Sequence, residues 1–258
     1  MKKNKIFWIL SVCLLTFCSC SSDKDDSLKF IKKIVESSEG GVSETTLFTY
    51  KRNQISSADG TQKRTDFTYT DGFITKTVTL NKVSQLLETV VYSYLEGNLV
   101  EVVSFGNYRI IYIHNADKTV SYEKFTTVSP NQEVKEFHGI LYLENENFIK
   151  DERIFDNTAA GVVAKHNVIF DYDAKRNPLY NILGYKKLLD YNEGISSNNS
   201  LMRTVTTNFS KDDQITSSAS LYKSTFKYDS ENYPTERISE TAVAGNGNVG
   251  YLKTQYFY

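Results

Sequence analysis

The sequence predicts an all-β protein: a large antiparallel meander of repeated hairpins, curled or closed into a barrel-like sheet, with at most one short helix. Three observations predict this fold. The 18 Tyr and 15 Phe far outnumber the single Trp, and aromatic and β-branched residues favour strands. Pro occurs only three times, as expected where backbone N–H groups are needed for sheet pairing. Triplets that end in an aromatic or large apolar residue, most of which also begin with one, recur along the chain, each followed by a polar turn.

The first residues predict export and lipid anchoring. Lysines near the N-terminus precede an apolar run over residues 6–17, which is too short to span a bilayer stably. The segment Phe17-Cys18-Ser19-Cys20 resembles a bacterial lipobox, so we expect cleavage before Cys20 and lipidation of that residue. Because all three cysteines occur at or before position 20, the chain beyond Cys20 has no thiol for a disulfide or a thiolate metal site.

An acidic tether follows the predicted lipidation site. Its composition is too polar to form a packed core. The segment Lys24-Asp25-Asp26 resembles the acidic export signal of Bacteroidetes surface lipoproteins, which implies anchoring to the outer membrane and display at the cell surface. We therefore divide the chain into a lipoprotein signal peptide (1–19), a lipidated Cys with its tether (20–27) and a single repeat-built β domain (28–258).

Eight copies of a triplet-and-turn unit divide the β domain. They occupy residues 48–50, 67–69, 92–94, 111–113, 141–143, 170–172, 207–209 and 226–228. A short unit that recurs with occasional longer insertions is typical of an array of hairpins, and about sixteen strands would follow. Asp, Asn and Gly fill the turns because these residues tolerate positive φ or hydrogen-bond to their own backbone.

The side-chain pattern of the units predicts which residues are buried. Residues i and i+2 of a strand share a face, so the aromatic pair Phe67 and Tyr69 should be buried together. On the following strand, strict alternation would place Ile74 and Lys76 on one face and Thr77, with its neighbouring threonines, on the solvated opposite face.

Two resemblances follow from these repeats. The dipeptides Tyr172-Asp173 and Tyr228-Asp229 make the units similar to degenerate YD repeats of the Rhs type. The segments Lys175-Arg176-Asn177-Pro178-Leu179-Tyr180-Asn181 and Ser196-Ser197-Asn198-Asn199 resemble a family of Bacteroidetes lipoproteins, described as a domain of unknown function with a porin-like β fold. This second resemblance covers most of residues 28–258. It implies a large antiparallel sheet and implies no activity.

The repeat fails between residues 178 and 203, and we predict that any distinctive ligand site lies between Asn177 and Arg203. Residues 185–191 could form a short helix with Leu188 and Leu189 buried, closing one end of the sheet. Tyrosines and asparagines gather in the same stretch, and aromatic faces with amide groups suit a glycan or protein ligand. The candidate ligand-binding residues are Asn177, Tyr180, Asn181, Tyr185 and Tyr191.

Other motifs argue against common chemistries. Residues 245–250 match GxGxxG, but the following segment has the composition of a strand rather than the helix of a dinucleotide site, so we interpret the motif as a hairpin turn. His114, His138 and His166 are isolated in sequence, and we expect neither a metal nor a cofactor. The formal charge is −1, so no basic surface for nucleic acid is predicted.

The sequence therefore favours a monomeric, non-enzymatic lipoprotein. It would contact the membrane only through its N-terminal lipid and would serve as a binding or scaffold module for a glycan or protein ligand. A cell-surface hydrolase with paired carboxylates is one alternative. An integral outer-membrane β-barrel is a second, suggested by the aromatic ending 256–258, although Lys76 and Glu101 interrupt the more apolar faces of their strands.

Overall fold

The computed structural model describes residues 28–41, 43–129, 132–212, 214–243 and 249–258, without the side chains of residues 191–193, 242–243 and 249. In these ranges sixteen antiparallel strands form a closed barrel, which confirms the predicted fold class and strand number. The strands are β1 (Lys33–Ser38), β2 (Ser43–Lys51), β3 (Gln54–Asp59), β4 (Lys63–Thr70), β5 (Phe73–Asn81), β6 (Leu87–Leu95), β7 (Asn98–Ser104), β8 (Tyr108–His114), β9 (Val120–Ser129), β10 (Gln132–Glu144), β11 (Asn147–Phe155), β12 (Val163–Arg176), β13 (Asn198–Lys211), β14 (Gln214–Tyr228), β15 (Pro234–Val243) and β16 (Val249–Phe257). Cys20 and the tether lie outside the described residues.

Each strand pairs with its neighbours in sequence, and β1 closes the barrel against β16. Lys33 lies opposite Phe257 in that last pairing. Among the described residues, none of the helical segments is long and apolar enough to cross a membrane.

Seven of the eight triplets end strands at one end of the barrel. The tight turns beside them include Asp71-Gly72 and Glu96-Gly97, whose positive φ values fit the type I′ hairpin turn. The copy at residues 207–209 also precedes a hairpin, formed by β13 and β14, but this hairpin lies at the opposite end of the barrel. The copy lies on β13, which runs the opposite way because the long connection after β12 occupies the turn position at the first end.

A β-bulge shifts the side-chain phase after most triplets. Thr68 pairs with Lys76 but Tyr69 pairs with Ile74, so Thr75 is an extra residue on β5. Ile74 and Thr77, three positions apart, are therefore both buried, whereas Lys76 is exposed. The predicted alternation was wrong at this point, since Thr77 faces the barrel interior. The same shift occurs after the triplets at 48–50, 92–94, 141–143 and 226–228.

The connection between β12 and β13, residues 177–197, folds into one end of the barrel, and we call it the plug. It contains two 3-10 turns, Tyr185–Lys187 and Leu189–Ile195, in place of the predicted short helix. Leu188 is fully buried and Leu189 nearly so, as predicted, within a core formed with lumen-facing residues of β3 to β12. Backbone hydrogen bonds tie the plug to the tight turns: Leu183 N donates to Asn53 O, and Ser197 N donates to Glu146 O. We call this end of the barrel the plugged end and the opposite end the far end.

Gly139, on β10, leaves no room for a Cβ atom. A Cβ atom at this position would lie 2.3 Å from the Glu152 carbonyl oxygen and 2.7 Å from the ring of Tyr122. We expect Gly139→Ala to lower the free energy of unfolding by about 1–3 kcal/mol, because the β11 backbone would have to move. Urea denaturation followed by far-ultraviolet circular dichroism measures the change.

Gly250→Ala, on β16, is the matched control. A Cβ atom there would come no closer than 3.8 Å to its nearest neighbour, Thr241. Its effect should stay within about 0.5 kcal/mol. Equal effects of the two substitutions would contradict the packing argument.

Candidate functional site

The barrel lumen has two walls of different character. From β3 to β12 the wall is mainly apolar, with buried residues such as Leu99, Val102 and Phe148 packed toward the plug. From β13 through β16 to β1 the lumen-facing residues are mainly Ser, Thr and Arg. A sixteen-stranded barrel is wide enough to enclose space that side chains do not fill. The polar wall is therefore where the lumen can hold a polar ligand.

A cavity of about 440 Å³ lies against the polar wall, and we call it the polar cavity. Its lining includes Glu36, Arg203, Tyr222, Ser224, Arg237 and Ser239. A second space of about 330 Å³ shares Glu36, Ser200, Arg237 and Thr254 with it and continues to the plug. At the other end the lining reaches Thr241 and Gly250, near the far-end limits of β15 and β16. The polar cavity thus runs along the polar wall from the plug toward the far end.

Cross-strand pairing sets the positions of the charged groups. Glu36 lies opposite Thr254, Thr254 opposite Arg237, and Arg237 opposite Phe226, which makes one lumen-facing row across four strands. Arg203 lies in another row, opposite Tyr222. Arg237 reaches its place because the bulge after Tyr228 shifts the phase of β15.

The two arginines make the polar cavity cationic. The Arg203 guanidinium carbon lies 4.0 Å from the centroid of the Tyr222 ring, and its buried Nε has no hydrogen-bond partner in the described part of the chain. Arg237 Nε donates to Ser224 Oγ at 3.0 Å. Among the described residues that line the cavity, Glu36 is the only acidic one. Two guanidinium groups therefore face one carboxylate, in a site that is otherwise neutral.

A smaller cavity of about 280 Å³ lies on the apolar side, and we call it the tyrosine cavity. Its lining includes Tyr108, Tyr112, Tyr122, Lys124, Arg153 and Asp190. Asp190 belongs to the plug; its Oδ2 accepts a long hydrogen bond of 3.5 Å from the Tyr92 hydroxyl, and its buried Oδ1 has no partner among the described residues. Burial raises the pKa of Asp190 to about 7, so this carboxyl is largely protonated below neutral pH.

The largest cavity, of about 720 Å³, opens between the apolar wall and the far-end turns. Phe48, Ile55 and Phe67 of the strands line its sides, and Tyr185 of the plug lines it toward the plugged end. Its lining contains one acid, Glu88, which accepts a hydrogen bond from Ser104 Oγ at 2.8 Å. Each of the three cavities is thus lined by a single carboxyl group among the described residues, whereas a glycosidase-like site needs two that face each other.

The five candidate residues predicted from the sequence all belong to the plug, and two of them border different cavities. Asn177 borders the space of about 330 Å³ that continues the polar cavity to the plug. Its Oδ1 accepts a hydrogen bond from Leu179 N at 2.8 Å. Tyr185 borders the largest cavity.

The other three have different surroundings. Asn181 Nδ2 donates to the Lys29 carbonyl oxygen and to the Tyr233 hydroxyl, which fixes the plug to the segment before β1 and to the β14–β15 turn. The ring of Tyr180 lies 4.2 Å from Lys186 Nζ. The Tyr191 side chain lies outside the described residues, so ligand binding by the five together remains a prediction.

The remaining sequence motifs are positioned by the sheet. The strand expected after the GxGxxG match is β16, while the turn itself, residues 244–248, lies outside the described residues. His114 Nε2 contacts the Leu99 carbonyl oxygen, His138 Nδ1 contacts the Asp156 carboxylate, and His166 Nδ1 contacts Thr207 Oγ1, each within 3.1 Å. Within the described residues, no group of three or more His, Cys, Asp or Glu side chains could hold a metal ion.

Comparison with known proteins supports the fold. No family model matches this chain, and no curated protein matches it. Among solved structures it is similar to a porin-like protein from Bacteroides uniformis, with a TM-score of 0.52 and 9% identity over 88% of this chain and 97% of that chain. A likeness at this identity establishes the fold alone, a porin-like β-barrel.

Proposed function

We propose that this protein is a lipid-anchored outer-membrane β-barrel that binds a polar small molecule or short glycan in its lumen and catalyses no reaction. The observation that carries the proposal is the contrast between the two faces of the barrel. Ion pairs occupy the outer face, while a hydroxyl-rich, cationic cavity lies inside.

The outer face is suited to water. Outward-facing ion pairs occur on β4, on β8 to β11 and on β15 and β16, on different sides of the barrel. The pairs are Arg64–Asp66, Arg109–Glu133, Lys135–Glu123, Lys150–Glu152 and Lys253–Glu236. A Lys or Arg facing lipid at the bilayer midplane costs about 2–4 kcal/mol, so several of them together oppose insertion of this wall.

In an anchored protein, the position of Lys29 would determine which end of the barrel faces the membrane. Lys29 lies at the plugged end, where its Nζ pairs with Asp229 at 2.8 Å. The chain between Cys20 and Lys29 can extend about 30 Å at most, at roughly 3.3–3.6 Å per residue. A lipid on Cys20 would therefore hold the plugged end toward the membrane and direct the far end, with the polar cavity, away from it.

An integral barrel is the second candidate function. The similar structure from Bacteroides uniformis is described as porin-like, and sixteen strands is a number found in membrane porins. In that case the outer face would contact lipid, and the lipid anchor would be unnecessary for membrane retention.

Fractionation of a Cys20→Ala variant distinguishes the two candidates. We expect the unmodified protein in the outer-membrane fraction and the variant in the soluble fraction, folded without detergent. Retention of both forms in the membrane after an alkaline wash would favour the integral barrel and overturn the anchored one. A glycan array on the soluble form then tests ligand binding.

A further inference from the structure

We propose that the polar cavity binds a sugar that carries a carboxylate, such as an oligosaccharide that contains a uronic acid, with Arg203 as the main anion-binding residue. This inference rests on the proposed function, because it names the ligand class of the same lumen. It draws on the charge, the unpaired donor, the lining and the size of the polar cavity.

The charge of the cavity matches a single negative group. Arg203 and Arg237 contribute two positive charges and Glu36 one negative charge, while the other described residues of the lining are neutral. One carboxylate would balance this set, whereas a doubly charged phosphate would exceed it. The planar guanidinium fork is also suited to bidentate binding of a carboxylate.

Arg203 carries the unpaired donor. Its buried Nε has no hydrogen-bond partner among the described residues, although a buried polar group left unpaired costs free energy. The Tyr222 ring, 4.0 Å away, holds the guanidinium in place without using its N–H donors. An oxygen of a bound carboxylate would satisfy this donor.

The rest of the lining is suited to a polyhydroxylated ligand. Hydroxyl groups of Ser200, Ser239, Thr241 and Thr254 line the cavity, and each can donate and accept a hydrogen bond. Phe226 contributes an aromatic ring to the space that continues the polar cavity to the plug. A volume of about 440 Å³ lies within the range of small-ligand sites and suits one or two sugar rings.

Calorimetric titration of the lipidated protein, purified in mild detergent, tests the inference. The probes are disaccharides of one uronate (galacturonate, glucuronate or mannuronate) and one neutral hexose, which we call uronate dimers, together with their neutral hexose counterparts and a hexose dimer that carries one sulfate. We expect at least one uronate dimer to bind, at least tenfold more tightly than its neutral and sulfated counterparts, and less tightly as ionic strength rises. Arg203→Gln should weaken this binding at least tenfold, and Arg237→Gln should weaken it as well.

Arg64→Gln is the matched control, since Arg64 is an exposed arginine on the outer face and should leave uronate binding unchanged. Urea denaturation of each variant establishes that it remains folded. The inference is overturned if no uronate binds, if neutral or sulfated sugars bind equally well, or if Arg203→Gln and Arg64→Gln have the same effect. Equal binding of a neutral sugar would leave the lumenal binding function intact, whereas the fractionation of the Cys20→Ala variant tests anchoring independently.

Discussion

Replacing Asp151 with alanine is expected to lower the free energy of unfolding by about 3–5 kcal/mol. Asp151 is 1% exposed, on the lumenal face of β11. Its carboxylate accepts hydrogen bonds from the Tyr122 hydroxyl and from Arg153 Nε, both at 2.6 Å. Without Asp151, the Arg153 charge would remain inside the barrel with no counterion at this position, and the Tyr122 hydroxyl would lose its acceptor. Removing one member of a buried pair costs far more than the pair contributes as a whole.

The neighbouring residue provides the control for Asp151. Glu152 faces outward on the same strand and pairs with Lys150 at 2.6 Å, with both side chains more than a third exposed. Glu152→Ala should therefore cost at most about 1 kcal/mol. Unfolding can be followed by circular dichroism, because the single tryptophan, Trp8, belongs to the predicted signal peptide. If the two substitutions destabilise the protein equally, the ion pair inside the barrel does not have the role assigned to it.

The lumenal position of Asp151 is an example of what could not be predicted from the sequence. The number of strands, their antiparallel order and the closing of one end were predictable, because each depends on local signals: paired aromatics, turn residues and a gap in the repeat. The bulge that follows most of the triplets leaves no comparable local signal. On β11 the extra residue of the bulge is Ile149. Phe148 and Asp151 are three positions apart and both face the lumen, whereas strict alternation would place them on opposite faces of the strand.

The same shift of side-chain phase explains why the candidate site was not predicted from the sequence. Strict alternation along β15 from Pro234 would place Glu236 inside and Arg237 outside, and the bulge reverses this. The sequence therefore directed attention to the plug, where the tyrosines and asparagines cluster. The plug does border all of the cavities described, through Asn177, Tyr185 and Asp190. The arginines that give the polar cavity its charge belong instead to β13 and β15 of the polar wall. They are distant in sequence, and only the pairing of the strands brings them together.

Stability should also depend on pH through Asp190. Burial raises the pKa of this carboxyl from 3.8 to about 7. The two cations that border the same cavity are already paired: Arg153 with Asp151, and Lys124 with Glu136 at 3.1 Å. At pH values between 3.8 and about 7, the folded protein holds the Asp190 proton more tightly than the unfolded chain does. The contribution of Asp190 therefore makes stability fall as pH rises from about 4 to 7, and it becomes constant above that range.

Asp190→Asn isolates this contribution from the other titrating groups, because asparagine stays neutral at every pH. The free energy of unfolding of Asp190→Asn minus that of the unmodified protein should increase from pH 4 to pH 7 and then level off. At about 1.4 kcal/mol per pKa unit, the increase is at most about 4 kcal/mol, and less where water in the tyrosine cavity solvates the ionised form. Urea denaturation at pH 4.5, 6 and 8 measures this difference. A value that stays constant across that range would show that Asp190 ionises in the folded barrel as readily as in the unfolded chain, and that the plug does not bury a neutral acid.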